Sequence, residues 1–192
     1  MKNKIKNLAV VVLIAVVAFS FKSLDEEKKN VKLESSKVVW KGYKVTGSHE
    51  GVIALKSGSL TFSDEKLVGG EFEIDMNTII CTDLEGEYKG KLEGHLKSDD
   101  FFGVENNPTA TLDFKNVKAT GKNSYEVTGD LIIKGKTNPI VFTMSVYGNK
   151  ANASLKIDRT KYDVKYGSAS FFDGLKDKAI YDDFDLVVDL EF

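Results

Sequence analysis

The side chains of this sequence that could do chemistry are few and poorly spaced for it. His49 and His95 are the two histidines. They lie far apart, without the i, i+4 spacing of a helical zinc site or a CxxC partner, so no metal site is expected. Each reads as a structural or pocket-lining imidazole. Cys81 is the single cysteine, which rules out an intramolecular disulfide. A position just before a helix can lower a thiol pKa, yet no histidine neighbours Cys81 in sequence, and it reads as a buried thiol. The glycines build no phosphate cradle, since "GVIALKSGSL" lacks the strand, GxxxxGK[ST], helix order. Arg159, in "KIDRTKYD", is the only arginine. It fits either a structural bidentate contact to a carboxylate or a contact to a ligand head group. No nucleophile with its base and no acid/base pair emerges, so the expectation is a protein that is not an enzyme and needs no cofactor.

The elements around these residues begin with a segment to be set aside. Lys2, Lys4 and Lys6 precede an unbroken apolar run of twelve residues, Leu8 to Phe19, and Ala18-Phe19-Ser20 puts small residues where a signal peptidase reads. Twelve is short for a bilayer span, which takes roughly 20 residues. Residues 1–20 therefore read as a cleaved signal peptide, and the protein as periplasmic or secreted, without stable membrane insertion. Cleavage removes three lysines and no acid, taking the formal net charge from −2 to −5. That balance argues against nucleic acid or an anionic membrane surface as a partner. Residues 21–36, charged and without period, read as a flexible lead-in, and residues 37–192 as one domain large enough for a sizeable core.

Period two dominates that domain. "VGGEFEIDMNT" puts Val68, Phe72, Ile74 and Met76 on one face and Glu71, Glu73, Asp75 and Asn77 on the other. "AIYDDFDLVVDLEF" repeats the pattern with Ile180, Phe184, Leu186, Val188, Leu190 and Phe192. Gly148-Asn149 is a good two-residue hairpin turn. About eight strands result, antiparallel where connections are short, in a sandwich or a closed barrel. One segment departs. "TDLEGEYKGKLEGHLKS" spaces Leu84, Tyr88, Leu92 and His95 or Leu96 as a helix, with Thr82 and Glu85 as a capping box. Its Gly86, Gly90 and Gly94 form a stripe suited to close docking. The doubled aromatics Phe101-Phe102 and Phe171-Phe172 sit in turn-like polar segments. In extended chain one member of each pair would point inward and its neighbour outward; alternatively both pairs plug loops onto the barrel.

Several stretches, in order, resemble the YceI family of bacterial periplasmic, polyisoprenoid-binding proteins: "GSHEG" (47–51), "GGEFEIDM" (69–76), "KLEGHLKSDDFFGVENNPTATLDF" (91–114), "VTGDLIIKGKTNPIVF" (127–142) and "IDRTKYDV" (157–164). The likeness covers about Val38 to Phe192. It departs at Gly103, where an acidic residue is expected, and at Asn107, where an aromatic is. The resemblance implies an all-β, extended lipocalin-like antiparallel barrel with one short helix packed against it, often a homodimer. Its elongated apolar channel would hold an isoprenoid lipid or similar long-chain amphiphile, of quinone or polyprenyl phosphate type. The inward strand faces then assign the channel to Phe72, Ile74, Met76, Leu112, Phe114, Leu131, Ile133, Phe142 and Met144. Phe101, Phe102, His49, His95 and Arg159 are the further ligand-binding candidates. The competing reading is a secreted carbohydrate-binding or adhesive β-module, which one tryptophan, Trp40, placed within a strand, supports poorly.

Overall fold

The computed structural model of the chain describes residues 25–192; the expected signal peptide and the start of the lead-in lie outside them. Nine strands run in order as β1 Glu26–Asn30, β2 Lys37–Lys44, β3 Gly47–Ser63, β4 Lys66–Cys81, β5 Thr109–Ala119, β6 Ser124–Ile133, β7 Lys136–Tyr147, β8 Lys150–Asp158 and β9 Ile180–Glu191, with one helix, α1, at Gly86–Lys97. Neighbours in sequence pair antiparallel from β2 to β9, and β2 also pairs with β9. That pairing closes an eight-stranded barrel. The Gly148-Asn149 turn is as expected, with Tyr147 opposite Lys150 and Gly148 at φ 60°.

β1 is a correction to the flexible lead-in. Glu26–Asn30 pairs with Ser59–Ser63 of β3, continuing along the same edge that β2 occupies nearer the start of β3. Four of its five residues are exposed, so no apolar alternation marks it. Charge on both faces is what an edge strand carries to resist pairing with strangers.

Alternation holds where a strand has one wet face and fails at bulges. Thr61 pairs with Gly69 but Phe62 with Leu67, so Val68 is squeezed out and exposed while Leu67 is buried. Val68 is thus not on the inner face with Phe72. A second irregularity lies between Val52–Ile80 and Ala54–Asp75, after which Ile79 and Cys81 take the inward positions. Thr78 holds it, donating to Asp75 O (2.6 Å) and accepting from Ala54 N–H (2.8 Å).

The helix forms without its expected cap. Glu85 has the N-cap geometry but makes no side-chain cap bond, and the Thr82 hydroxyl donates to Glu50 O instead (3.3 Å). Starting at Gly86 turns Tyr88 to solvent, three-quarters exposed, and buries Leu96. The glycine stripe is the outer face: a Cβ built on Gly86, Gly90 or Gly94 meets nothing within 4 Å. Docking is instead through Leu96, with Cys81 N–H donating to Glu93 Oε1 (2.9 Å).

Candidate functional site

Along the barrel axis one end is filled and the other hollow. Leu60, Phe62, Leu67 and Leu190 are buried at the end where β3 turns into β4, and the Phe62 and Phe192 rings lie 5.4 Å apart there. Toward α1 the interior opens into two compartments of about 120 Å³ and about 70 Å³. They share Val38, Ile74, Ala110, Leu131 and Leu186 as a common wall, and lie side by side in the barrel interior, together called the lumen. The inward side chains Ile74, Phe184, Leu186 and Val188 pack against the core cluster yet are only partly buried. Side chains that point inward and still meet solvent line a cavity; a filled core would have covered them.

The lumen reaches the surface beside a bulge. β2 and β9 pair Gly42 with Phe184 but Lys44 with Ile180, leaving Tyr181, Asp182 and Asp183 opposite Tyr43 alone. Gly42, Tyr43, Tyr181 and Asp183 line the larger compartment, and Tyr181 is half exposed to the outside. Gly42 follows Val38 and Trp40 on the inward face of β2, and a Cβ there meets nothing within 4 Å. A glycine usually marks close backbone approach; here it leaves room at the mouth. Outside, the Tyr43 hydroxyl donates to Asp185 Oδ2 (2.7 Å) and Lys156 Nζ donates to Asp185 Oδ1 (2.9 Å).

The roof above this compartment is the loop after α1. Gly103 and Val104 donate back to Ser98 O and Lys97 O (2.8 and 2.9 Å), while Lys134 Nζ, from the β6–β7 turn, donates to Asp99 O and Phe101 O (both 2.9 Å). In so tight a turn neighbouring side chains need not point opposite ways. Phe101 and Phe102 are both buried and both line the lumen, with rings 5.0 Å apart at 82°. Gly103 takes φ +56°, a left-handed conformation, and its carbonyl accepts from Asn107 Nδ2 (3.0 Å). The two family departures are therefore one loop closure. The second pair is neither inside nor a plug: Phe171 and Phe172 are each about half exposed.

The ionisable candidates take other places. Arg159 is 2% exposed and lines the larger compartment. It donates to three backbone carbonyls, Nε to Tyr181 O (3.0 Å), NH1 to Val164 O (2.7 Å) and NH2 to Ile180 O (3.0 Å). Asp182 Oδ1 stands 3.6 Å from NH2, so the expected bidentate carboxylate pair is replaced by a carbonyl cradle that holds the mouth of β9. The guanidinium also lies over the Phe101 ring, 5.5 Å from its centroid. His49 and His95 are outside the lumen wall. His49 Nδ1 is 3.1 Å from Asp83 Oδ2, whose other oxygen accepts from Cys81 Sγ (2.9 Å). Burial, and then the bond to Asp83, push the Cys81 thiol up, which keeps it protonated and unreactive. His95 packs on Phe101 from behind (5.4 Å) and under Tyr166 (4.4 Å), with Nε2 buried and unpartnered.

Around the lumen the structure thus brings together Ile74, Met76, Phe101, Phe102, Leu131, Ile133 and Arg159 in the larger compartment, and Phe72, Leu112, Phe114, Phe142 and Met144 in the smaller. Sequence reasoning missed Trp40, Gly42 and Leu96, and left out Phe184, Leu186 and Val188 although their alternation was plain.

A family model for the YceI-like domain matches residues 23–192. A UPF0312 protein of Azotobacter vinelandii is 30% identical over 91 residues, 47% of this chain and 45% of that protein; the match spans about half the length of such curated relatives. Burkholderia cenocepacia BcnA superposes with a TM-score of 0.66 at 23% identity, covering 83% of this chain and 98% of that one. A polyisoprenoid binding domain from Saccharophagus degradans, implicated in plant cell wall breakdown, gives 0.57 at 16% identity, covering 84% and 97%.

Proposed function

This chain belongs to the YceI-like domain family, and from that membership and its apolar lumen we propose that it is an exported, periplasmic binding and carrier protein for an isoprenoid-chain lipid. The observation that carries the reading is the lumen itself: a carbon-walled cavity inside a closed barrel, filled at one end and open beside Gly42 at the other. Burying a methylene is worth about 0.8 kcal/mol, so a tail of some twenty carbons gains roughly 16 kcal/mol before the cost of ordering it. The tail thus supplies the affinity. As it stands the lumen has room for about a single ring, judging by the roughly 150 Å³ cavity that admits benzene. An entering chain therefore moves side chains aside, and Met76 and Met144, unbranched and soft, are the ones suited to yield. At the mouth the Arg159 charge is spent on carbonyls and Asp183 faces the opening, which favours an uncharged head of quinone type over a polyprenyl phosphate.

Thermal unfolding with and without lipid tests this. An isoprenoid quinone should raise the midpoint of the parent protein. Phe142→Trp, which narrows the smaller compartment, should leave the lipid-free fold intact while weakening long-chain ligands more than short ones. No lipid-induced shift in the parent protein would sink the reading.

A further inference from the structure

Five of the thirteen exposed large hydrophobic residues among those described share one region. Val45, Tyr166, Phe171, Phe172 and Tyr181 are each about half exposed, and short bonds string them together. Val45 N–H donates to Ala179 O (3.2 Å), Ile180 N–H to Gly167 O (2.8 Å), and the Phe171 and Phe172 amides both donate to Ser168 O (3.2 and 3.0 Å). Ser170 Oγ donates to Asp182 Oδ2 at 2.6 Å, tying the Phe171-Phe172 loop to the bulge. Tyr181 belongs to both the patch and the mouth of the lumen.

The charge around the patch is balanced. Lys44, Lys161, Lys165, Lys176 and Lys178 stand against Asp163, Asp173, Asp177, Asp182 and Asp183, five of each sign, on a chain that is net negative overall. Aromatic side chains, with an apolar body and a polar edge, settle at the boundary between water and lipid. A long isoprenoid tail does not cross water readily, so a lumen that takes one needs its mouth against the surface where the tail resides.

We propose that this aromatic patch docks the protein on a phospholipid bilayer, seating the mouth so that a tail passes directly between bilayer and lumen. The inference rests on the lipid-binding reading above. Docking is by ring insertion, which sets it apart from attraction of a basic surface to anionic lipid: it tolerates salt, and it is transient because two phenylalanines and two tyrosines insert where a span does not.

The test uses the purified protein and sedimentable vesicles of phosphatidylethanolamine and phosphatidylglycerol. The parent protein should co-sediment, and Phe171→Ser with Phe172→Ser should weaken that partition about ten- to a hundredfold. Tyr147→Ser, an exposed aromatic opposite Lys150, which pairs with Glu191 at the far end of β9 from Ile180, should change nothing. Raising salt from about 0.05 M to about 0.5 M should leave binding largely intact, where a charge-driven contact would be screened. Uptake of an isoprenoid quinone from detergent micelles should be the same in the parent and the double variant, while transfer between vesicles should be slower in the variant. If the parent does not bind vesicles, or the double variant binds equally well, or binding vanishes with salt, docking by this patch is overturned even though uptake from micelles leaves the lumen standing. If the parent takes nothing from micelles either, both readings fall.

Discussion

Gly42→Leu should stabilise the empty protein and weaken its ligand at once. The position lies on the inward face of β2, opposite His49 and Phe184, and a Cβ there meets no atom within 4 Å. A leucine adds four carbons in the direction of a compartment of about 120 Å³. At about 0.8 kcal/mol per methylene-sized group, four carbons of ligand displaced from the mouth cost about 3 kcal/mol, or roughly two hundredfold in Kd. The empty fold gains from losing a flexible strand glycine and from filling apolar space, together about 1–2 kcal/mol, which for a domain of this size raises the midpoint by roughly 2–8 °C. The protein supplies its own probe. Trp40, the single tryptophan, lines the same compartment, so quenching of its emission by an isoprenoid quinone reports occupancy directly. Ordinary damage to the fold would lower both stability and affinity. If the variant binds a long-chain quinone as tightly as the parent, or melts earlier without ligand, the ligand does not pass Gly42 and the assignment of the mouth is refuted.

Three further perturbations probe the frame around the lumen. Arg159→Met removes the cradle under Ile180, Tyr181 and Val164 and should cost about 3–5 kcal/mol in urea unfolding; a loss under 1 kcal/mol would mean that the carbonyls find other partners. Gly90→Ala, on the open face of α1, should raise stability by about 1 kcal/mol, whereas a lower midpoint would restore the close docking that the glycine spacing suggests. Burial holds the His95 imidazole below its ordinary 6.5, with Asp100 pulling the other way. The unfolded chain therefore protonates first, so stability is complete above about pH 6.5 and falls as pH drops below it, until the folded-state pKa is passed. Between about pH 7.5 and 5 the midpoint of His95→Phe should fall less than that of the parent, and equal slopes would contradict the burial argument.

Strand alternation made much of the barrel legible, because a one-sided strand must write its wet and dry faces into every second residue. β4 from Phe72 to Met76 and β9 from Phe184 to Leu190 show this. What alternation hides is the extra residue. Val68 looks inward by period and is turned out by a bulge, and the three residues of β9 opposite Tyr43 make the mouth without any apolar signature. Glycines were equally ambiguous. Gly90 and Gly94 suggested a docking stripe and face open space, while Gly42, one more glycine in a strand, leaves the room that matters. The Phe pairs show the same limit: whether Phe101-Phe102 and Phe171-Phe172 point inward depends on Lys134 and Ser168, residues remote from or outside each pair. β1 was missed because a strand exposed on nearly every residue has no hydrophobic period to read.

Whether the lumen carries an isoprenoid chain is read from the native mass of the protein purified without detergent from an exporting bacterial host, followed by organic extraction. A loaded lumen gives a species heavier than the polypeptide, whose excess disappears on extraction and is recovered as an isoprenoid-tailed molecule with an uncharged head. A Gly42→Leu sample should carry less of it. A mass equal to the bare chain, with no shift in unfolding when isoprenoid quinones of several lengths are added, would contradict the lipid-binding reading.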